Sequence, residues 1–115
     1  MITQRTLGDV VVLVPRIRED EDARVLVDLA TGLASDGARH LVVNLSDVGT
    51  HDGDFFDDVS GAMGAVWACY HRLGGRVVVS NLRRGMRWWF HGTRMDQVIE
   101  IYDTEAEAIA SFGEG

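Results

Sequence analysis

The stretch from His40 to Phe56 reads HLVVNLSDVGTHDGDFF. Its first six residues are too apolar and too short for anything but a central strand, buried on both faces. Its second half is broken by glycine and carries carboxylates at Asp52 and Asp54, followed by two phenylalanines. The change from apolar run to acidic loop marks the end of a strand and the start of a helix. A loop of that kind is where α/β proteins commonly place binding or catalytic groups.

Working outward, strands and helices alternate. ITQRTL (2–7) reads as a first strand, Gly8-Asp9 as a turn, and VVVLVP (10–15) as a second strand closed by the single proline. These two are expected to pair as a hairpin. A helix is predicted over 20–35, with acids at its start, an apolar face of Ala23, Leu26, Leu29, Ala30 and Leu33, and a stop at Ser35-Asp36-Gly37. After the strand at 40–45 and the acidic loop, a long helix is predicted from Asp54 to Leu73. Asp54 is expected at its N-cap, with Asp57 three residues on, and Val59, Met63, Val66, Tyr70 and Leu73 on its buried side. Gly74-Gly75 ends it.

RVVVSNL then reads as a strand and RRGMRWWFHG as a short helix with Met86, Trp89 and Phe90 on one side. QVIEIY reads as an alternating strand. DTEAEAIASF reads as a last helix opened by a capping box of Thr104 and Glu107. This order predicts an α/β fold. Its sheet is mainly parallel, of four to five strands with about four helices, and its first two strands are antiparallel. With 115 residues and neither repeat nor linker, a single domain over 1–115 is expected.

Composition narrows the function. Apolar residues make up 46% of the chain, which places it with folded globular proteins rather than disordered ones. A net charge of −7 disfavours binding to nucleic acid or to an anionic membrane. The one cysteine, Cys69, rules out an internal disulfide and is expected in the core. Together with an N-terminus that lacks a signal-like segment, it points to the cytoplasm. No apolar run reaches the roughly 20 residues that span a bilayer.

No phosphate-binding glycine loop, paired C-x-x-C, H-E-x-x-H or G-x-S-x-G is present, so an enzyme is not expected. His51, Asp52, Asp54, Asp57 and Asp58 form the one local cluster of potential ligands. Asp57 and Asp58 are successive on the predicted helix, about 100° apart, and do not readily converge on one cation. No metal and no cofactor are expected. Of the three tryptophans, Trp67 is expected to be at least half-buried. One of Trp88 and Trp89 is expected to be exposed beside Arg83, Arg84 and Arg87, a combination that suits a protein contact.

ARHLVVNLSDV, the acidic loop, a helix ending in HRLGG and then RVVVSN together resemble the STAS domain of bacterial anti-sigma-factor antagonists. From Gly74 to Phe112 the chain can be laid on the family pattern without a gap. The resemblance implies a regulatory protein that acts in transcription by partner switching. Such a protein is expected to bind an anti-sigma factor, itself an ATP-binding serine kinase, and so to release a sigma factor. The family carries D-S-[ST]-G at the start of the long helix, where a hydroxyl is phosphorylated.

This chain departs from that motif. Read forward from NLSDV, the motif falls on Asp52, Gly53 and Asp54. Read backward from Gly74-Gly75, the acceptor falls on Asp58, and the segment is about four residues, one helical turn, longer than usual. The nearest hydroxyls are Thr50 and Ser60. The G-x-[IL]-D expected after the second strand is replaced by VPRIRED. The resemblance thus implies a partner surface at Thr50, Asp52, Gly53, Asp54 and Asp58, with Thr50 and Ser60 the hydroxyls open to phosphorylation. A second reading is a STAS sensor or scaffold that binds a small ligand or metal through the loop from His51 to Asp58.

Overall fold

The computed structural model describes residues 1–49 and 53–113, with Gly53 and Asp54 described by their backbone alone. Valine-rich segments set the architecture. β1 (Ile2–Leu7) and β2 (Val10–Pro15) form an antiparallel hairpin, paired from Leu7↔Val10 to Ile2↔Pro15. Gly8 makes the tight turn at φ +60°, a conformation glycine adopts without steric cost. β3 (His40–Asn44), β4 (Arg76–Ser80) and β5 (Glu100–Tyr102) follow in parallel, giving one sheet in the order β1-β2-β3-β4-β5. The helices are α1 (Asp20–Ser35), α2 (Gly53–Arg72), α3 (Arg84–Gly92) and α4 (Glu105–Ala110).

The continuous apolar strands are explained by cover on both faces. Val11, Leu13, Leu41, Val43, Val77 and Val79 point to one side and pack on α1, α2 and α3 through Leu26, Ala30, Val59, Met63, Val66 and Phe90. The alternate residues Val10, Val12, Val42 and Val78 point to the other side and pack under Ala108, Ile109 and Phe112. Period-two alternation sends successive side chains to opposite faces, so a strand covered twice has no polar side.

Two contacts fix α2. The Tyr70 hydroxyl, fully buried, donates to the Ala30 carbonyl at 2.9 Å and ties α2 to α1. Burial pushes the Tyr70 pKa up to about 12. At the end of α2, Gly74 sits at φ +78° and the Gly75 amide donates to the Tyr70 carbonyl at 2.7 Å. A Cβ on Gly75 would lie 2.4 Å from the Arg39 carbonyl oxygen, so only glycine lets β4 start beside the entry to β3.

Several expectations are corrected at element ends. α2 begins at Gly53, so Asp54 lies in its first turn rather than at its cap. Leu73 follows the helix and is 45% exposed, because the chain turns away through the two glycines before its side chain reaches the core. QVIEIY is a strand only from Glu100 to Tyr102. The preceding Met95–Gln97 forms a 3-10 turn, with Arg94 at φ +64° reversing the chain out of α3. The strands predicted to run to Leu45 and Leu82 end at Asn44 and Ser80. Cys69 is half-buried, packed against the core rather than inside it. The α1 bounds and the Thr104 cap, whose hydroxyl accepts from the Glu107 amide at 3.2 Å, agree with the sequence reading.

Two glycine substitutions should act in opposite directions. Gly75→Ala should destabilise by about 1–3 kcal/mol, because its Cβ meets backbone that cannot move independently. Gly32→Ala, inside α1 with open space around it, should stabilise by about 0.5–1 kcal/mol. Urea unfolding of both variants checks this; equal effects would contradict it. Stability should also fall as pH rises from 10 towards about 12, since the raised Tyr70 pKa favours the folded state only while the phenol is protonated. Tyr70→Phe should flatten that limb.

Candidate functional site

The C-terminal ends of parallel strands are where open α/β sheets present their loops. Here the β2–α1 and β3–α2 connections are joined beyond the sheet. Ile17 and Val48, both buried, make a parallel bridge, in which the Ile17 amide donates to the Asp47 carbonyl at 3.1 Å and the Gly49 amide donates to the Ile17 carbonyl at 2.8 Å. The Arg18 guanidinium closes the outside, donating to the Asp47 carbonyl at 2.7 Å and to its carboxylate at 2.6 Å. That hydrogen bond holds the Asp47 carboxyl below its ordinary pKa. On the inner side, the Asn44 side chain accepts from the Ser46 amide at 2.9 Å and donates to Glu105 at 2.8 Å. The stem of the acidic loop, Ser46 to Gly49, is therefore fixed on two sides.

α1 opens on the same rim. The Asp22 carboxylate accepts from the Arg18 amide at 2.8 Å and from the Glu19 amide at 3.1 Å, which lowers its pKa. Beside it the first turns of α2 divide by chemistry. Phe55 is buried and Phe56 half-buried, while Asp57 and Asp58 are exposed. Phe56 lies against α3, its ring 6.1 Å from that of Trp89, with Gly85 beneath it. Asp58 lines a shallow groove of about 220 Å³ between α1 and α2, together with Asp20, Arg24 and Ala62.

The predicted site residues divide accordingly. Gly53, Asp54 and Asp58 stand on the first turns of α2. Thr50, His51 and Asp52 lie outside the described residues. Ser60 is buried, its hydroxyl donating to the Phe56 carbonyl at 3.1 Å. Among the described residues, no group of three or more His, Cys, Asp or Glu is placed to hold a metal, and no helix is long and apolar enough to cross a membrane. Of the aromatic pair on α3, Trp88 is 76% exposed and Trp89 half-buried. Trp67 is half-buried and stacks on His71 at 4.7 Å.

The Ile17–Val48 bridge, the Arg18–Asp47 pair and the Phe56–Gly85 contact were not foreseen. The opposite charges of Arg18 and Asp47 were visible, but their meeting needs the neighbouring order of β2 and β3. The glycine at 85 signals close approach only once its neighbour is known.

No family model matches the chain, and no curated protein matches it. Solved structures do. A candidate anti-sigma factor antagonist of Thermotoga maritima superposes with a TM-score of 0.84 at 21% identity, over 96% of this chain and 92% of that one. An anti-sigma-factor antagonist (STAS) domain protein of Planctomyces limnophilus gives 0.78 at 16% identity, over 98% of both chains. The anti-sigma factor antagonist SpoIIAA in its unphosphorylated form gives 0.73 at 16% identity over the whole of both chains. The chain therefore has the fold of a STAS domain, its described residues forming five strands, the first two antiparallel, and four α-helices.

Arg18→Ala should raise the Asp47 pKa towards its ordinary value of 3.8, readable by carboxyl-carbon NMR titration. Because the folded pKa is depressed, the stability tied to it is present above the ordinary value and lost as pH falls through the folded one. An unchanged Asp47 titration in the variant would show that Arg18 does not hold the loop stem.

Proposed function

We propose that this chain is a regulatory protein-binding module, an antagonist that captures an anti-sigma factor and so frees a sigma factor. The fold shared end to end with anti-sigma factor antagonists carries this reading. The whole chain acts as one domain, without catalysis of its own and without cofactor, in the cytoplasm.

The docking surface is the start of α2 and the loop before it, with Thr50, Asp52, Gly53, Asp54 and Asp58. Three observations support it. The stem of this loop is clamped by Arg18 and the Ile17–Val48 bridge, so the loop is presented from a rigid base. Asp57 and Asp58 are exposed beside it. Phe55 and Phe56 anchor the helix that carries them.

The partner is an anti-sigma factor of the ATP-binding serine-kinase type, which meets these carboxylates with a basic surface. Complementary charge of this kind speeds encounter and rejects wrong partners. In the STAS pattern the acceptor position carries a hydroxyl; here it carries Asp54 or Asp58. A carboxylate there imposes a fixed negative charge, smaller than the 1.5 to 2 charges of a phosphate. The chain then holds one state where a phosphorylated antagonist alternates between two. Thr50, on the proposed docking loop, is one hydroxyl assigned to phosphorylation in this reading. Ser60 becomes available only if the first turns of α2 open, since its hydroxyl is buried and bonded to Phe56.

The test is titration of the purified chain into preformed complexes of anti-sigma and sigma factors from its own host, followed by gel filtration. One complex should release its sigma factor. Binding should weaken about tenfold or more from low to physiological salt, and again in Asp58→Lys. If no host anti-sigma factor binds at low salt, the reading fails. If binding is indifferent to salt and to Asp58→Lys, the acidic surface is not the docking face.

A further inference from the structure

A second concavity, separate from the acidic loop, lies at the opposite edge of the sheet from β1. It is an open hollow of about 890 Å³, lined on the α3 side by Arg84, Arg87, Trp88 and His91 and on the β5 side by Asp96 and Ile101. Its size falls within the range of about 300–1,000 Å³ typical of small-molecule sites. The four α3 residues recur at helical spacing, so one face of the helix forms one wall.

The chemistry of this wall is specific. Trp88 is 76% exposed, the only aromatic side chain among the large exposed apolar residues of the described part of the chain. Nothing in the fold requires it there, because Met86 and Phe90 bury the opposite side of the helix. The polar groups around it differ in what they have left to give. His91 is taken up by Asp96 at 3.0 Å, and one nitrogen of Arg87 by Asp103 at 2.6 Å. The guanidinium of Arg84 has no hydrogen-bond or ion-pair partner among the described residues. In a chain of net charge −7, Arg83, Arg84 and Arg87 gather positive charge beside an exposed indole.

We infer that the hollow between α3 and β5 binds a small aromatic anion. The ligand's ring lies on the face of Trp88 above Ile101, and its carboxylate, sulfonate or phosphate takes the free donors of Arg84. Arginine suits this role because its planar fork pairs with two oxygens at once. An aromatic ring suits it because indole offers a broad face for stacking. A nucleic acid is disfavoured by the overall negative charge, and the concave shape fits a compact ligand better than a flat protein surface. The site stands apart from the docking reading, although the two adjoin where Gly85 meets Phe56.

The probe is anilinonaphthalene sulfonate, with its uncharged parent phenylnaphthylamine as control, followed by fluorescence and by the indole N–H signals in nitrogen-proton NMR. The expected result is one saturable site whose largest indole shift belongs to Trp88. The sulfonate should bind at least about tenfold tighter than the uncharged parent, the scale of one charge-assisted hydrogen bond. Arg84→Glu should weaken the sulfonate by a similar factor and leave the parent unchanged, with circular dichroism confirming the fold. Trp88→Ala should weaken both. Lack of saturable binding up to about 1 mM would overturn the proposal. So would shifts centred on the α1–α2 groove, or an Arg84→Glu variant that binds the sulfonate as the native chain does.

Discussion

Burial of β3 on both faces is the constraint from which the rest follows. His40 to Asn44 can lie between β2 and β4 only if both sides of the sheet are covered. One side needs the large cover of α1, α2 and α3; the other is closed by α4 with Ile109 and Phe112. The small cover is held at its margins by polar contacts. Arg5 pairs with Glu105 at one end, while Arg76 grips Glu100 and lies over the Phe112 ring at 4.7 Å at the other. Glu105 is desolvated there, which raises its pKa, but its bonds to Asn44 and Arg5 outweigh that and lower it.

The same constraint positions the rim that carries the candidate site. Parallel strands force every loop that leaves a strand's C-terminal end onto one edge, so the openings of α1, α2 and α3 converge. β2 and β3 do not separate at once on leaving the sheet; Ile17 and Val48 continue the pairing for one more step. A loop carried on such a stem is presented to a partner at low entropic cost. Phe56 links that rim to α3 through Gly85 and Trp89, so the acidic start of α2 and the arginine-rich helix are neighbours rather than independent surfaces.

Much of this was legible in the sequence, for identifiable reasons. Valine runs flanked by glycine identify strands covered on both sides, and the repeating apolar face of α1 fixes its length. Thr104 and Glu107 place the start of α4. Element ends were less legible. Leu73 fits the helical period, but the glycines that follow release the chain before it can be buried. QVIEIY alternates like a strand, yet its first residues belong to the turn that brings the chain back from α3. The site was legible in composition and not in geometry. The carboxylates of the loop stand out, whereas the Arg18–Asp47 clamp and the hollow beside Trp88 depend on strand order.

The most direct test of the account is a footprint. Hydrogen–deuterium exchange of the chain should be measured alone and in complex with the anti-sigma factor proposed as its partner. Protection on binding should concentrate on residues 46–60, the loop stem and the first turns of α2, with little change in β1 or α4. Protection centred on the β1 edge or on α4, with 46–60 unchanged, would contradict it and place the partner on the far side of the sheet.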